Sequence, residues 1–213
     1  MSRRPYLIAA AAGLTAALAA AAFSPTGAED AKQPAPSAQT AVATFASGCF
    51  WCTESDFEKV PGVVEAISGY TGGTTPNPTS RQVSTGGTGH TEAVQVRYDP
   101  AVVTYERLLD VYWRNVDPID AGGQFCDRGD QYRSAIFVHD EKQRQAALES
   151  KAALERASRL GQPIVTPVVQ AEIFYPAEDY HQDYAKKNPI RYAYYRNGCG
   201  RDQRLEELWK GTS

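Results

Sequence analysis

The sequence predicts an α/β (α+β) fold, a mixed β-sheet with helices packed against it. Three observations carry this. Short runs that alternate with period two, such as "VVEAISGY" and "TEAVQVRYD", are interleaved with helical-period segments such as "TYERLLDVYWRN". The order of the two kinds is irregular, which suits a mixed sheet better than a regular strand–helix repeat. No internal repeat and no second shift of composition follows about Ala41, so the rest of the 213 residues reads as one domain.

In chain order, residues 1–28 predict an export signal. Arg3 and Arg4 precede an apolar run from about Tyr6 to Ala22, and small residues then offer cleavage after Ala22 or Ala28. This places the mature protein outside the cytoplasm, in a periplasm. The Arg3–Arg4 pair also suits a twin-arginine signal, and an uncleaved membrane anchor is the alternative. Residues 29–40 are a Pro/Ala/Gln linker.

The folded part begins with "AVATFAS", a short apolar strand over 41–47. A helix starts near Thr53 and ends at Pro61–Gly62. Strands follow at "VVEAISGY" and "TEAVQVRYD". Helix "TYERLLDVYWRN" sets Tyr105, Leu108, Leu109, Tyr112 and Trp113 on one face, with Thr104 as its cap. "RSAIFVH" reads as a strand. A helix from about Glu141 to Leu160 is capped by Asp140 and stopped by Gly161. "TPVVQAEIFY" reads as a strand and "PAEDYHQDYAKKN" as a helix with Pro176 in its first turn. "RDQRLEELWKG" is the last helix. Two glycine-rich loops, Gly69–Glu92 and Asn115–Tyr132, are long for a compact domain and read as walls of a site.

Composition narrows the function. Twenty-two basic residues against 25 acidic ones give a net charge of −3, which offers nothing to a nucleic acid. The four cysteines, Cys49, Cys52, Cys126 and Cys199, could form two disulfides in an oxidising compartment. A zinc module would need paired Cys-x-x-Cys clips, and only one such pair exists; His139 and His181 show no ligand spacing. Cys49 and Cys52 also have the spacing of a thioredoxin-like oxidoreductase. The candidate cis-proline in Thr166–Pro167, however, lies far along the chain.

Cys49 stands where a strand gives way to a helix. Unpaired N–H groups and the positive end of the helix dipole favour a thiolate there, the nucleophilic form of cysteine. Phe50 and Trp51 lie inside the pair and offer apolar ring surface suited to a methyl group or thioether. A nucleophile aimed at sulfur needs an acid, and "GHTEAV" offers Glu92 at a loop–strand junction; burial would raise its pKa and let it donate a proton. His90 reads as a structural loop residue. Asp127 and Tyr132 add polar groups from the second long loop.

The motifs "GCFW", "GHTEAV", "YDP", "DRGDQYRSAIF", "FYPAEDYHQDY" and "KKNP", in this order, resemble the peptide methionine-(S)-sulfoxide reductases, the MsrA family. The resemblance runs from about Ala41 to Trp209. It implies a ferredoxin-like core and makes residues 41–213 the catalytic domain, working without a cofactor or metal. It implies that Cys49 attacks the sulfoxide sulfur, that Phe50 and Trp51 hold the substrate methyl group, and that Glu92 protonates the oxygen with help from Asp127 and Tyr132. The resulting sulfenic acid would be resolved by a second cysteine, for which Cys199, Cys52 and Cys126 are all available, and a thioredoxin-like protein would reduce the disulfide. Substrates would be proteins carrying methionine sulfoxide and free methionine sulfoxide. Two departures stand out. Cys52 replaces a common glycine, and Ser80 replaces the tyrosine of an "NPTY" stretch, which shifts oxygen stabilisation toward Tyr132. Cys199, flanked by glycines in "NGCG", reads as a mobile thiol able to swing onto Cys49.

Overall fold

The computed structural model describes residues 40–157 and 160–210; the predicted export signal and all but the last residue of the linker lie outside them. The chain forms β1 (Ala41–Ser47), α1 (Phe50–Phe57), β2 (Val63–Thr71), α2 (Ser80–Ser84), β3 (Thr91–Tyr98) and α3 (Tyr105–Arg114). A small hairpin of β4 (Gly123–Gln124) and β5 (Asp127–Arg128) leads into a 3-10 turn, Asp130–Tyr132, and then β6 (Ser134–Val138). The remainder is α4 (Glu141–Arg156), β7 (Val168–Gln170), β8 (Tyr175–Pro176), α5 (Tyr184–Lys187), α6 (Pro189–Gly198) and α7 (Arg201–Trp209).

The main sheet has the order β7-β6-β1-β3-β2-β8, antiparallel except for the β6–β7 pair. Its four central strands, with α1 joining β1 to β2 and α3 lying between β3 and β6, make the ferredoxin-like βαββαβ core. Alternation along the strands sorts the side chains. Ala43, Phe45, Val94, Val96, Ile136 and Val138 face one way and join Phe57 of α1 and Leu108, Leu109 and Tyr112 of α3 in the main core. Ala46, Ala93, Ala135 and Phe137 face the other way, under Ala171 and Phe174. At the centre Phe45 is fully buried, stacked 4.9 Å from Phe57 and 5.2 Å from Tyr112.

Helix caps follow the sequence. Thr104 accepts from Arg107 N–H, and Asp140 from Gln143 N–H. Four expectations are corrected. The strand expected across "TPVVQAEIFY" divides into β7 and β8. Tyr175–Pro176 does not start a helix but pairs with Gly69 and Tyr70, because Ala177 N–H donates to Ser68 O and the Gln182 amide also binds Ser68. Only α5 of the expected helix forms, while α6, not expected, begins with Pro189 at its first turn. Helix α4 ends at Arg156, four residues short of Leu160.

Candidate active site

The turn from β1 into α1 is made by Gly48, whose φ of +83° favours glycine; a Cβ there would lie 2.5 Å from the Gln124 Cβ. Gln124 is buried and binds both backbone groups of Asp117, which pins the second long loop against this turn. Helix α1 starts at Phe50, earlier than Thr53, and Cys49 is its N-cap. The Cys49 carbonyl accepts from Cys52 N–H at 3.1 Å and from the Thr53 hydroxyl at 3.3 Å.

Glu92 takes the helix mouth. Its Oε2 accepts the Phe50 N–H at 3.0 Å, and it is 7% exposed at the start of β3, opposite Tyr70. Burial raises its pKa to about 8 despite that hydrogen bond, so the group is a carboxylic acid at neutral pH. The thiolate expected at Cys49 is therefore not the resting form. The N–H that would have stabilised it goes to Glu92. Burial, the Cys52 hydrogen bond and the Glu92 charge all push Cys49 well up, to a thiol. Its neighbour moves the other way. The hydrogen bond from Cys49, with Arg201 and Arg196 nearby, brings Cys52 down to about 7 against the cost of burial.

Trp51 is the half-buried wall. Its ring stacks 3.7 Å from Tyr184 and meets Tyr195 edge-on at 5.7 Å, while its Nε1–H donates to His181 Nδ1 at 3.0 Å. Phe50, expected as a second wall, is 1% exposed and packs on His181 at 4.9 Å and Tyr70 at 5.7 Å, so it backs the site and does not line it. Tyr132, at the end of the 3-10 turn, feels the charges of Glu92, Asp127 and Cys49; burial first, then those charges, keep its phenol protonated. Asp127 accepts a short hydrogen bond from the Tyr195 hydroxyl, and that hydroxyl also hydrogen-bonds Cys49. Burial raises Asp127, and Tyr195 and Arg201 oppose the rise.

Cys126 sits at the exposed tip of the β4–β5 hairpin and is disulfide-bonded to Cys199, 73 residues on. Cys49 and Cys52 are free and buried. In this form Cys199 is the C-cap of α6 and is held in the disulfide; its Sγ lies 3.9 Å from Asp127 Oδ2. Among the described residues, Cys126, Asp127 and Cys199 are grouped closely enough to suit a metal, but the two sulfurs are bonded to each other.

A sequence model of the peptide methionine sulfoxide reductases matches residues 41–213. The chain belongs to that family. It is 54% identical over 169 residues to the peptide methionine sulfoxide reductase MsrA of Listeria innocua, covering 79% of this chain and 96% of the relative. Among solved structures it is similar to methionine sulfoxide reductase A of Corynebacterium diphtheriae (TM-score 0.66, 38% identity, 75% and 78% of the two chains). It is also similar to reduced Mxr1 of Saccharomyces cerevisiae (TM-score 0.66, 33% identity, 71% and 87%). Mxr1 has also been solved in complex with Trx2 (TM-score 0.50, 26% identity, 73% and 91%).

In this reductase the structure gathers Cys49, Glu92, Trp51, Asp127 and Tyr132 around one point. Ser80 opens α2, where its N–H donates to Glu178, which also accepts from the Tyr70 hydroxyl. The sequence reading missed Tyr195, Tyr70, Glu54 and Arg201. Glu54 of α1 accepts the Asp183 N–H and so fixes the start of α5, where Tyr184 stacks on Trp51. Arg201, 2% exposed, donates to the Ser47 and Asn115 carbonyls and lies 4.5 Å over the Phe125 ring. The local pattern around "YYRNGCGRDQR" gives no sign of such long-range contacts.

Proposed function

We propose that this reductase acts on the (S)-sulfoxide of methionine, both in proteins and as the free amino acid, with Cys49 as nucleophile and Glu92 as acid. One observation carries the reading: the Phe50 N–H holds a buried, protonated carboxyl against the residue that follows Cys49. Cys49 sulfur bonds to the sulfoxide sulfur, and the S–O oxygen takes a proton from Glu92. The new S–S bond and the S–O bond then break: the S–S electron pair leaves with methionine as the thioether, reduced by two electrons, and the protonated oxygen passes to the Cys49 sulfur, which is left as a sulfenic acid, oxidised by two. Trp51 packs the substrate methyl group, and Tyr132 stands where it can bond the oxygen.

Cys199 then attacks the sulfenic acid, releasing water and forming a Cys49–Cys199 disulfide. Cys126 attacks Cys199 in turn, which restores the Cys49 thiol and leaves the Cys126–Cys199 bond seen here, with Cys126 exposed to a thioredoxin-type dithiol. Export to a periplasm would call for a donor in that compartment. A second reading gives the first attack to Cys52, because it hydrogen-bonds Cys49 and has a pKa of about 7.

The test treats a Cys126→Ser variant with one equivalent of each sulfoxide epimer and maps its disulfides. A Cys49–Cys199 bridge formed with the S epimer alone is the expected result. A Cys49–Cys52 bridge hands resolution to Cys52, and a Cys49→Ser protein that still forms methionine removes Cys49 from the reaction.

A further inference from the structure

The geometry points to Tyr195 as a catalytic residue that carries the Cys49 proton to Asp127. This rests on the reading of Cys49 as the nucleophile and adds the group that removes its proton. The Tyr195 hydroxyl donates to Asp127 and neighbours the Cys49 thiol, so groups from three parts of the chain meet here: the N-cap of α1, α6 and the β4–β5 hairpin. The ring is held edge-on against Trp51, and the backbone carbonyl accepts from Cys199 N–H at 2.9 Å, one helical turn on.

The need for such a group is physical. Cys49 rests as a thiol, and a thiol attacks sulfur poorly. Glu92 cannot take the proton, because it is itself protonated and must give its proton to the sulfoxide oxygen. Cys52 also accepts a hydrogen bond from Cys49, but it lies beside it in α1, buried and facing the charge of Asp56, which opposes a negative charge there. Tyr132, from the 3-10 turn, faces Cys49, Glu92 and Asp127 with a phenol that stays protonated. Arg201 of α7 and the Tyr195 hydroxyl hold Asp127 toward its charged form against the effect of burial. Asp127 is therefore the carboxylate able to receive a proton, and Tyr195 connects it to the sulfur.

The step balances. The Cys49 proton passes to the Tyr195 oxygen as the Tyr195 proton passes to Asp127, giving a thiolate, an unchanged tyrosine and an aspartic acid. The thiolate sulfur attacks, Glu92 protonates the departing oxygen, and the site holds the sulfenic acid, Asp127 protonated and Glu92 ionised. Solvent exchange then resets the two carboxyls. The same helix turn ties this relay to the disulfide cycle. The Tyr195 carbonyl holds the Cys199 N–H, so the reduced Cys199 that bonds to Cys49 in the proposed cycle would draw on the same turn of α6 that carries Tyr195.

The experiment measures methionine formed in a single turnover by the full chain, before any cysteine resolves, as a function of pH. For the unaltered protein a bell is expected, rising as Asp127 ionises and falling as Glu92 does, near pH 8. Tyr195→Phe keeps the ring against Trp51 and removes only the hydroxyl. It should slow the step on the order of 100-fold, leave KM nearly unchanged, and replace the bell by a slow rate that climbs toward alkaline pH. Asp127→Asn should do the same, and the double variant should be no slower than either single one, since both break one relay. Equal rate and profile in Tyr195→Phe, a change in KM alone, or losses that multiply in the double variant would each overturn the relay. Methionine formation by Cys49→Ser would instead overturn the nucleophile on which it rests.

Discussion

Glu92 can act as an acid because nothing around it neutralises a charge well enough to ionise it. Its one backbone donor is outweighed by burial, and its proton is lost only near pH 8. Glu92→Gln keeps the hydrogen bond to Phe50 but has no acidic proton. Its single-turnover rate should drop by about 100- to 10,000-fold and lose the decline above pH 8. A variant that kept this alkaline decline would show that another acid protonates the oxygen. Cys49 and Glu92 were legible because a cysteine after a strand, and a glutamate at a strand start, mark places where backbone geometry presents side chains. Tyr195 was not. "YAYYR" contains three tyrosines, and which one turns inward depends on how α6 rolls against the domain: Tyr194 is 84% exposed, while its neighbour Tyr195 bonds Asp127.

Helix α1 is aimed by the strand before it and by the aromatic stack beneath it. Phe45 lies between Phe57 of α1 and Tyr112 of α3, whose hydroxyl donates to the Ala46 carbonyl one residue farther along β1. Phe45→Ala would empty the centre of this stack and should lower the unfolding free energy by about 3–5 kcal/mol, read from urea denaturation. A loss under about 1 kcal/mol would mean that the stack is not what joins the two helices to the sheet. Strand β1 was read to its ends, and both helix caps were placed, because alternation and capping are local signals. The stretch from Tyr175 to Gly198 was misread for the opposite reason. Its helical pattern is overridden by Ala177 and Gln182 bonding the Ser68 backbone, an edge more than 100 residues away. Pro189 was a local sign of the helix that does form there.

The whole molecule should respond to pH through its buried acids. Glu54 and Glu92 have pKa values raised from 4.5 to about 7 and about 8 in the folded chain. The native state thus binds protons that the unfolded chain has released. Stability is full below about pH 4.5 with respect to these two groups and is lost as pH rises through 7 and then 8. Melting temperature should fall between about pH 5 and pH 8, and Glu54→Gln with Glu92→Gln should flatten the fall; a melting point that rises over this range would contradict the assignment.

Arg201 binds the carbonyl of Ser47, 154 residues earlier in the chain. A ribosome makes these two partners at opposite ends of the domain's synthesis. Every nascent chain that stops short of α6 therefore holds the nucleophilic cysteine without Tyr195, Cys199 or the arginine that closes the turn beneath it. The site is complete only once the final helices are made, and until then the sulfur that carries the reaction lacks the groups that surround it in the finished fold.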